Sequence, residues 1–205
     1  MRPILLALFA LSLGVAAPAY AQSVELVPVV AGIPGKSTTV STKGAAITTD
    51  EFVAAILDGD HYPMTATYAG VKALEECRSL SKLPDGSVIV YQRTGGNMLV
   101  GSRHYVIALK VKQKTDAVAE IEWNLVKHSF DGKTYSGPYA SALNGKDAVW
   151  TPYNHGTWRY DRAAGTISYA VQSDPGGSIP DWAVGQGAVT AFPLELLKTR
   201  WGVVP

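Results

Sequence analysis

Few residues in this chain have the reach for catalysis or metal binding. It has four histidines and one cysteine. His61, His104, His128 and His155 include no H-x-x-x-H pair, and no H-E-x-x-H occurs. A zinc site built from them requires convergence from distant parts of the chain. Cys77 lacks the surroundings of a nucleophile motif and reads as a structural thiol. No G-x-S-x-G marks a nucleophile elbow. "GQGAVT", from Gly185, imitates the start of a dinucleotide fingerprint. It lies within a predicted helix instead of opening one after a strand, so that reading fails. Arg103 has two readings, as a partner for a ligand carboxylate or phosphate, or for an acid near the start of its own strand. A buried Arg normally has a protein partner, which favours the second. Asp174, beside Pro-Gly-Gly, reads as a turn and cap residue before it reads as a catalytic acid.

Aromatic residues carry more information. Trp123, Trp150, Trp158, Trp182 and Trp201 fall in predicted strands or in the last helix, as do Tyr105 and Tyr169. Each either fills a core or lines a cavity. Ala183, Gly187 and Ala191 recur at a spacing of four near the C-terminus. Such a smooth strip lets helix and strands pack closely or leaves room for a flat ligand. Gln186 and Thr190 add hydrogen-bonding groups to an otherwise apolar wall. Mostly apolar with few polar groups is the composition of a small-molecule pocket.

These residues need elements to position them. The chain has 205 residues, enough for one domain. "MRPILLALFALSLGVAAPAYAQ" has a positive start, an apolar run too short to span a bilayer and an A-x-A site, which predicts a signal peptide over 1–21 with cleavage after Ala21. The expected product is exported, either periplasmic or secreted. Loss of Arg2 would leave 17 basic against 17 acidic side chains. That balance offers neither a nucleic-acid stripe nor a polybasic lipid patch. With a single cysteine, an intramolecular disulfide is excluded, so stability must come from the core.

Residues 22–46 read as a flexible tether, small and polar with no sustained period. Thr48 and Glu51 form a capping-box pair ahead of Phe52, Val53, Ile56 and Leu57, which predicts an amphipathic helix ending at Asp58-Gly59. From Val71 the period becomes two. "VKALEECRSL" and "SVIVYQRT" flank the turn at Pro84-Asp85-Gly86 and read as a hairpin. In "RHYVIALKVKQ", Arg103, Tyr105, Ile107, Leu109 and Val111 share one face. His104, Val106, Ala108, Lys110 and Lys112 share the other, and the lysines mark that face as wet toward its end. Ile121, Trp123 and Leu125 alternate with Glu120, Glu122 and Asn124. "KDAVWTPY", "GTWRYDR" and "GTISYAVQS" add three more strands, with turns at "YNHG" and "RAAG". About seven strands in an antiparallel meander precede a helix that opens at Pro180 and bends near Pro193. "SDPGGSIPDW" is the joint, with glycines free to take positive φ and local acceptors for the turn. A curved sheet with a helix laid in its concavity encloses apolar space that side chains need not fill.

Three segments make the sequence resemble the START family of lipid-transfer domains, within the helix-grip superfamily. "SDPGGSIPDW" is similar to that family's D-P-G-G-x-x-P joint, "GSRHYVIALK" to its R-D-(aromatic)-V strand, and "HGTWRYDR" to its G-x-W strand. Order and spacing agree from about Thr48 to Trp201. The resemblance implies an α+β helix-grip fold over 47–205, with a curved antiparallel sheet around a long C-terminal helix. It implies a tunnel that binds a lipid, sterol or related hydrophobic molecule for transfer or sequestration, with no cofactor, no metal, transient membrane contact and a monomeric state. The candidate lining residues are Arg103, Tyr105, Ile107, Leu109, Ile121, Trp123, Leu125, Tyr169, Trp182, Ala183, Gln186 and Thr190. The sequence departs from the family at two positions. His104 stands where the family usually has Asp. Leu109 stands where some sterol-binding members carry an inward charge, so a sterol head-group partner is not carried over. Two rivals stay open. One is a helix-grip enzyme, cyclase- or hydrolase-like, which needs His104 and Asp174 to meet in the cavity. The other is an interaction module whose aromatic side chains fill the tunnel.

Overall fold

The structure, a computed structural model, describes residues 24–29, 36–68, 70–96, 101–174, 176 and 186–203. In chain order its elements are β1 (Lys36–Lys43), α1 (Thr49–Leu57), β2 (Thr67–Tyr68), β3 (Val71–Lys72), β4 (Glu76–Lys82), β5 (Val88–Thr94), β6 (Arg103–Lys114) and β7 (Val118–Leu125). There follow β8 (Ser129–Phe130), β9 (Tyr135–Ser136), β10 (Val149–Trp150), β11 (Tyr153–Asp161), β12 (Thr166–Asp174) and α2 (Gln186–Trp201).

Local chemistry sets the ends of α1. Thr48 accepts from the Glu51 backbone N–H at 3.1 Å, and the Glu51 carboxylate accepts from the Thr48 N–H at 2.7 Å. That is the reciprocal capping box the sequence predicts. Phe52 and Ile56 are fully buried on the inner side of the helix. The β4–β5 hairpin closes through Gly86 at φ +84°, where a left-handed residue is required.

The principal sheet runs β1-β12-β11-β7-β6-β5-β4, antiparallel throughout, with β10 added beside β6. Strict alternation buries one face. Tyr105, Ile107 and Leu109 of β6 and Ile121, Trp123 and Leu125 of β7 join Trp158, Tyr160, Ile167, Tyr169 and Val171 of β11 and β12 in one cluster. Phe52 and Ile56 of α1 and Leu196 and Leu197 of α2 belong to that cluster, so both helices lie on this face.

Several expectations are corrected. The 22–46 tether contains β1, which pairs with β12 from Lys36↔Ser173 to Lys43↔Thr166. Earlier in the same segment Leu26 bridges Val126, and the Val27 N–H donates to the Leu125 carbonyl at 2.8 Å. An all-polar run can still be a strand when it lies along an existing edge, because the ladder uses only backbone groups. "VKALEECRSL" is divided: β3 pairs with β2 in a separate ribbon, and β4 begins at Glu76. "KDAVWTPY" contributes only two residues, parallel to the start of β6, instead of a meander strand. "YNHG" is the first half of β11 and not a turn. The helix continues through Pro193 to Trp201. Its predicted start at Pro180 lies outside the described residues.

The sharpest correction concerns the second face of β6. His104, Val106 and Ala108 are buried there, and the face turns wet only from Lys110. The excursion between β7 and β11 folds over the back of the sheet. Val126, Ala142 and Leu143 meet Ile89, Tyr91, Val106 and Ala108 in a second cluster, flanked by Tyr135, Tyr139 and Trp150. The Lys146 ammonium, 3.0 Å from the Glu76 carboxylate, ties the end of this cover to β4.

Candidate functional site

The buried concave face is ordered by row. Across the middle, Val171 faces Gly156, Gly156 faces Trp123, and Trp123 faces Leu109, which faces Val88. Beside this row lie Tyr169 and Trp158, with ring centres 4.6 Å apart. The Trp123 ring stacks on Tyr169 at 5.4 Å and 22°. Gly156 makes this geometry possible. A Cβ there would lie 2.2 Å from the Trp123 ring and 2.3 Å from the Ala170 carbonyl oxygen. The indole therefore lies flat on bare backbone.

Toward the start of β6 the face becomes polar. Ser173 pairs with Asn154. Tyr105, Gln92 and Cys77 pair in turn across β6, β5 and β4. The Trp123 indole N–H donates to the Asn154 side-chain oxygen at 2.7 Å, and the Asn154 amide donates to the Ser173 hydroxyl at 3.4 Å. Burial raises the pKa of the Tyr105 and Tyr169 hydroxyls, with Asn154 partly opposing the shift at Tyr105. Burial pushes the Cys77 thiol up to about 12, and the Gln92 amide beside it works the other way. Every one of these groups is neutral near pH 7.

Arg103 begins the same strand. Its guanidinium donates to the carbonyls of Gly101 and of Gly176, the latter at 3.1 Å. Asp174 accepts from the Gly176 N–H at 2.9 Å. These contacts fasten the joint after β12 to the start of β6, and both side chains serve that turn. Of the candidate lining residues, Arg103, Tyr105, Ile107, Leu109, Ile121, Trp123, Leu125 and Tyr169 share the buried concave side. Gln186 falls at the start of α2 and Thr190 in its second turn. Trp182 and Ala183 lie outside the described residues. Sequence reasoning missed Asn154 and Gly156. The period-two series Asn154, Gly156, Trp158, Tyr160 was available as a signal, but the turn-forming composition of "YNHG" masked it.

The pairing that the enzymatic alternative needs does not assemble. His104 is fully buried behind the sheet, edge-on to Tyr91 at 6.2 Å and to Tyr135 at 5.5 Å. Asp174 ends β12, bonded into its own turn. Among the described residues no three His, Cys, Asp or Glu side chains gather as a metal set. An open depression of about 570 Å³ lies at the α1 end of the sheet, lined by Thr48, Glu51, Tyr160 and Arg162. Its acid is already engaged in the helix cap.

No protein-family model matches the chain, and no curated protein sequence does. Solved structures do match. Human STARD10 superposes with a TM-score of 0.56 at 15% identity, over 80% of this chain and 61% of that one. A STAR-related lipid transfer protein from Xanthomonas axonopodis gives 0.52 at 20% identity, over 88% of this chain and 96% of that fragment. Human StAR-related lipid transfer protein 5 gives 0.50 at 15% identity, over 79% and 73%. The chain thus spans about three-fifths of the STARD10 structure and nearly all of the bacterial one. With a sheet of this order holding two helices against its concave face, the chain has the α+β helix-grip fold of START domains.

Proposed function

We propose that this protein binds a hydrophobic molecule between the concave face of the sheet and α2, and carries or sequesters it without covalent chemistry. The observation behind this reading is the continuous apolar and aromatic face, supplied by β5, β6, β7, β11 and β12 and turned toward α2 in a START-like fold. Each buried methylene contributes about 0.8 kcal/mol, so a dozen supply roughly 10 before ordering costs. Micromolar binding needs about 8. Apolar contact is therefore sufficient to hold a lipid, and no ionic anchor is required.

Export belongs to the same proposal. The N-terminal 21 residues support it by their charge, apolar run and A-x-A site. A carrier outside the cytoplasm would shelter an insoluble molecule crossing water, with transient contact at a membrane. Native mass spectrometry of the purified protein, offered a total lipid extract, is the direct test. A stoichiometric lipid adduct is the expected result. Absence of an adduct with any lipid class, together with a side-chain-filled interior, would leave the interaction-module alternative standing instead.

A further inference from the structure

We infer that the ligand is uncharged and carries one hydrogen-bonding group, a hydroxyl or a carbonyl, which is read by Asn154 and Tyr105. This rests on the carrier reading and goes beyond it by naming the chemical class of the ligand. The concave face is graded. Its rows through Tyr169, Trp158 and Trp123 are apolar or aromatic, and its hydrogen-bonding atoms gather at one end, at Ser173, Asn154, Tyr105, Gln92 and Cys77. A long molecule with one polar end has one orientation that suits such a surface.

Charge narrows the class. Among the described residues the fully buried set contains no Asp, Glu or Lys. Its only guanidinium is Arg103, which is committed to the carbonyls of Gly101 and Gly176. His104, the other buried base, sits on the opposite side of the sheet. A carboxylate or phosphate placed at this end would be desolvated without a cation to meet it, a costly arrangement. A hydroxyl or carbonyl would exchange water for the neutral donors and acceptors already present.

Asn154 is the best-oriented of these groups. Its oxygen is fixed by the Trp123 indole at 2.7 Å. That assigns the amide nitrogen as the donor end, where its bond to Ser173 is long at 3.4 Å. An amide has two N–H groups, so a donor remains for a ligand oxygen. Tyr105 lies beside Asn154 and supplies a hydroxyl able to donate or accept.

The test uses a matched series of probes, dodecanol, dodecanamide, dodecanoate and dodecyl phosphate, titrated against the purified protein at pH 7.5. Tryptophan fluorescence reports binding, with Trp123 at the proposed contact. The alcohol and the amide should bind, and both anions should bind at least about 100-fold more weakly, since two decades correspond to about 2.7 kcal/mol of uncompensated desolvation. Asn154→Leu and Tyr105→Phe should each weaken dodecanol about tenfold while leaving the anions unchanged. The wild-type series stands by itself if a variant fails to fold. Anions binding as tightly as the alcohol, with Arg103→Gln abolishing that binding, would overturn the head-group assignment and leave the carrier reading intact. No binding by any of the four probes or by extracted lipid would overturn both.

Discussion

The two faces of β6 are both buried, yet they are built on different principles. In front, polar atoms are linked to one another, Trp123 to Asn154 and Asn154 to Ser173, and the whole set is neutral. Behind, several buried polar atoms have no partner: the Tyr91 hydroxyl, His104 Nδ1, the Thr151 hydroxyl and the Tyr153 hydroxyl. The front is closed by two helices, the back by an irregular cover ending in the Lys146–Glu76 ion pair. The comparison teaches that the front depends on close fit, whereas the back depends on the protonation state of its histidine.

The largest expected effect breaks the front. Gly156→Ala would drive a methyl group into the Trp123 ring and the Ala170 carbonyl. The ring is held by Tyr169 and Asn154, and the carbonyl belongs to β12, so neither gives way cheaply. A loss of about 3 to 4 kcal/mol in chemical denaturation is expected, with a changed tryptophan emission. A loss below about 1 kcal/mol would mean that the indole does not lie flat on the strand.

The next effect separates the two faces by pH. Burial first, then the charges of Arg93, Lys146 and His128, hold the His104 pKa at about 4, below its ordinary 6.5. Between those values the unfolded chain binds a proton that the folded chain refuses. His104 therefore costs nothing above pH 6.5, and stability falls as pH drops toward 4, by at most about 3 kcal/mol. His104→Phe should flatten the fall over this window while leaving ligand binding in front unchanged. An undiminished acid loss in that variant would assign the effect to other groups.

The smallest effect concerns the helix laid over the front. Thr48→Ala removes the cap from α1 and should cost about 1 kcal/mol. Because Phe52 is in ring contact with Tyr160 and Trp201, fraying here should loosen the α2 end first, visible as faster amide exchange near Trp201. Unchanged exchange there would show that the cap and the front are independent.

How much of this was legible in the sequence depended on the range of the interaction. The capping box, the β4–β5 hairpin, the inward set of β6 and β7 and the turn role of Asp174 were all readable, since each follows from residues within a few positions of one another. The rows that set Tyr105 beside Gln92 and Cys77, and Asn154 under Trp123, were not. They join strands far apart in the chain, and "YNHG" has the local composition of a turn.

By itself, then, the sequence determined the periods, the caps and the order of sheet before helix, because backbone propensity and alternation act locally. Tertiary structure alone decided that the polar run at Lys36–Lys43 completes the sheet, since an edge strand takes its stability from a neighbour's backbone. It also decided that His104 is dry. Strand alternation turns that side chain away from the front, but only the folding of residues 126–150 over the back determines whether water is there.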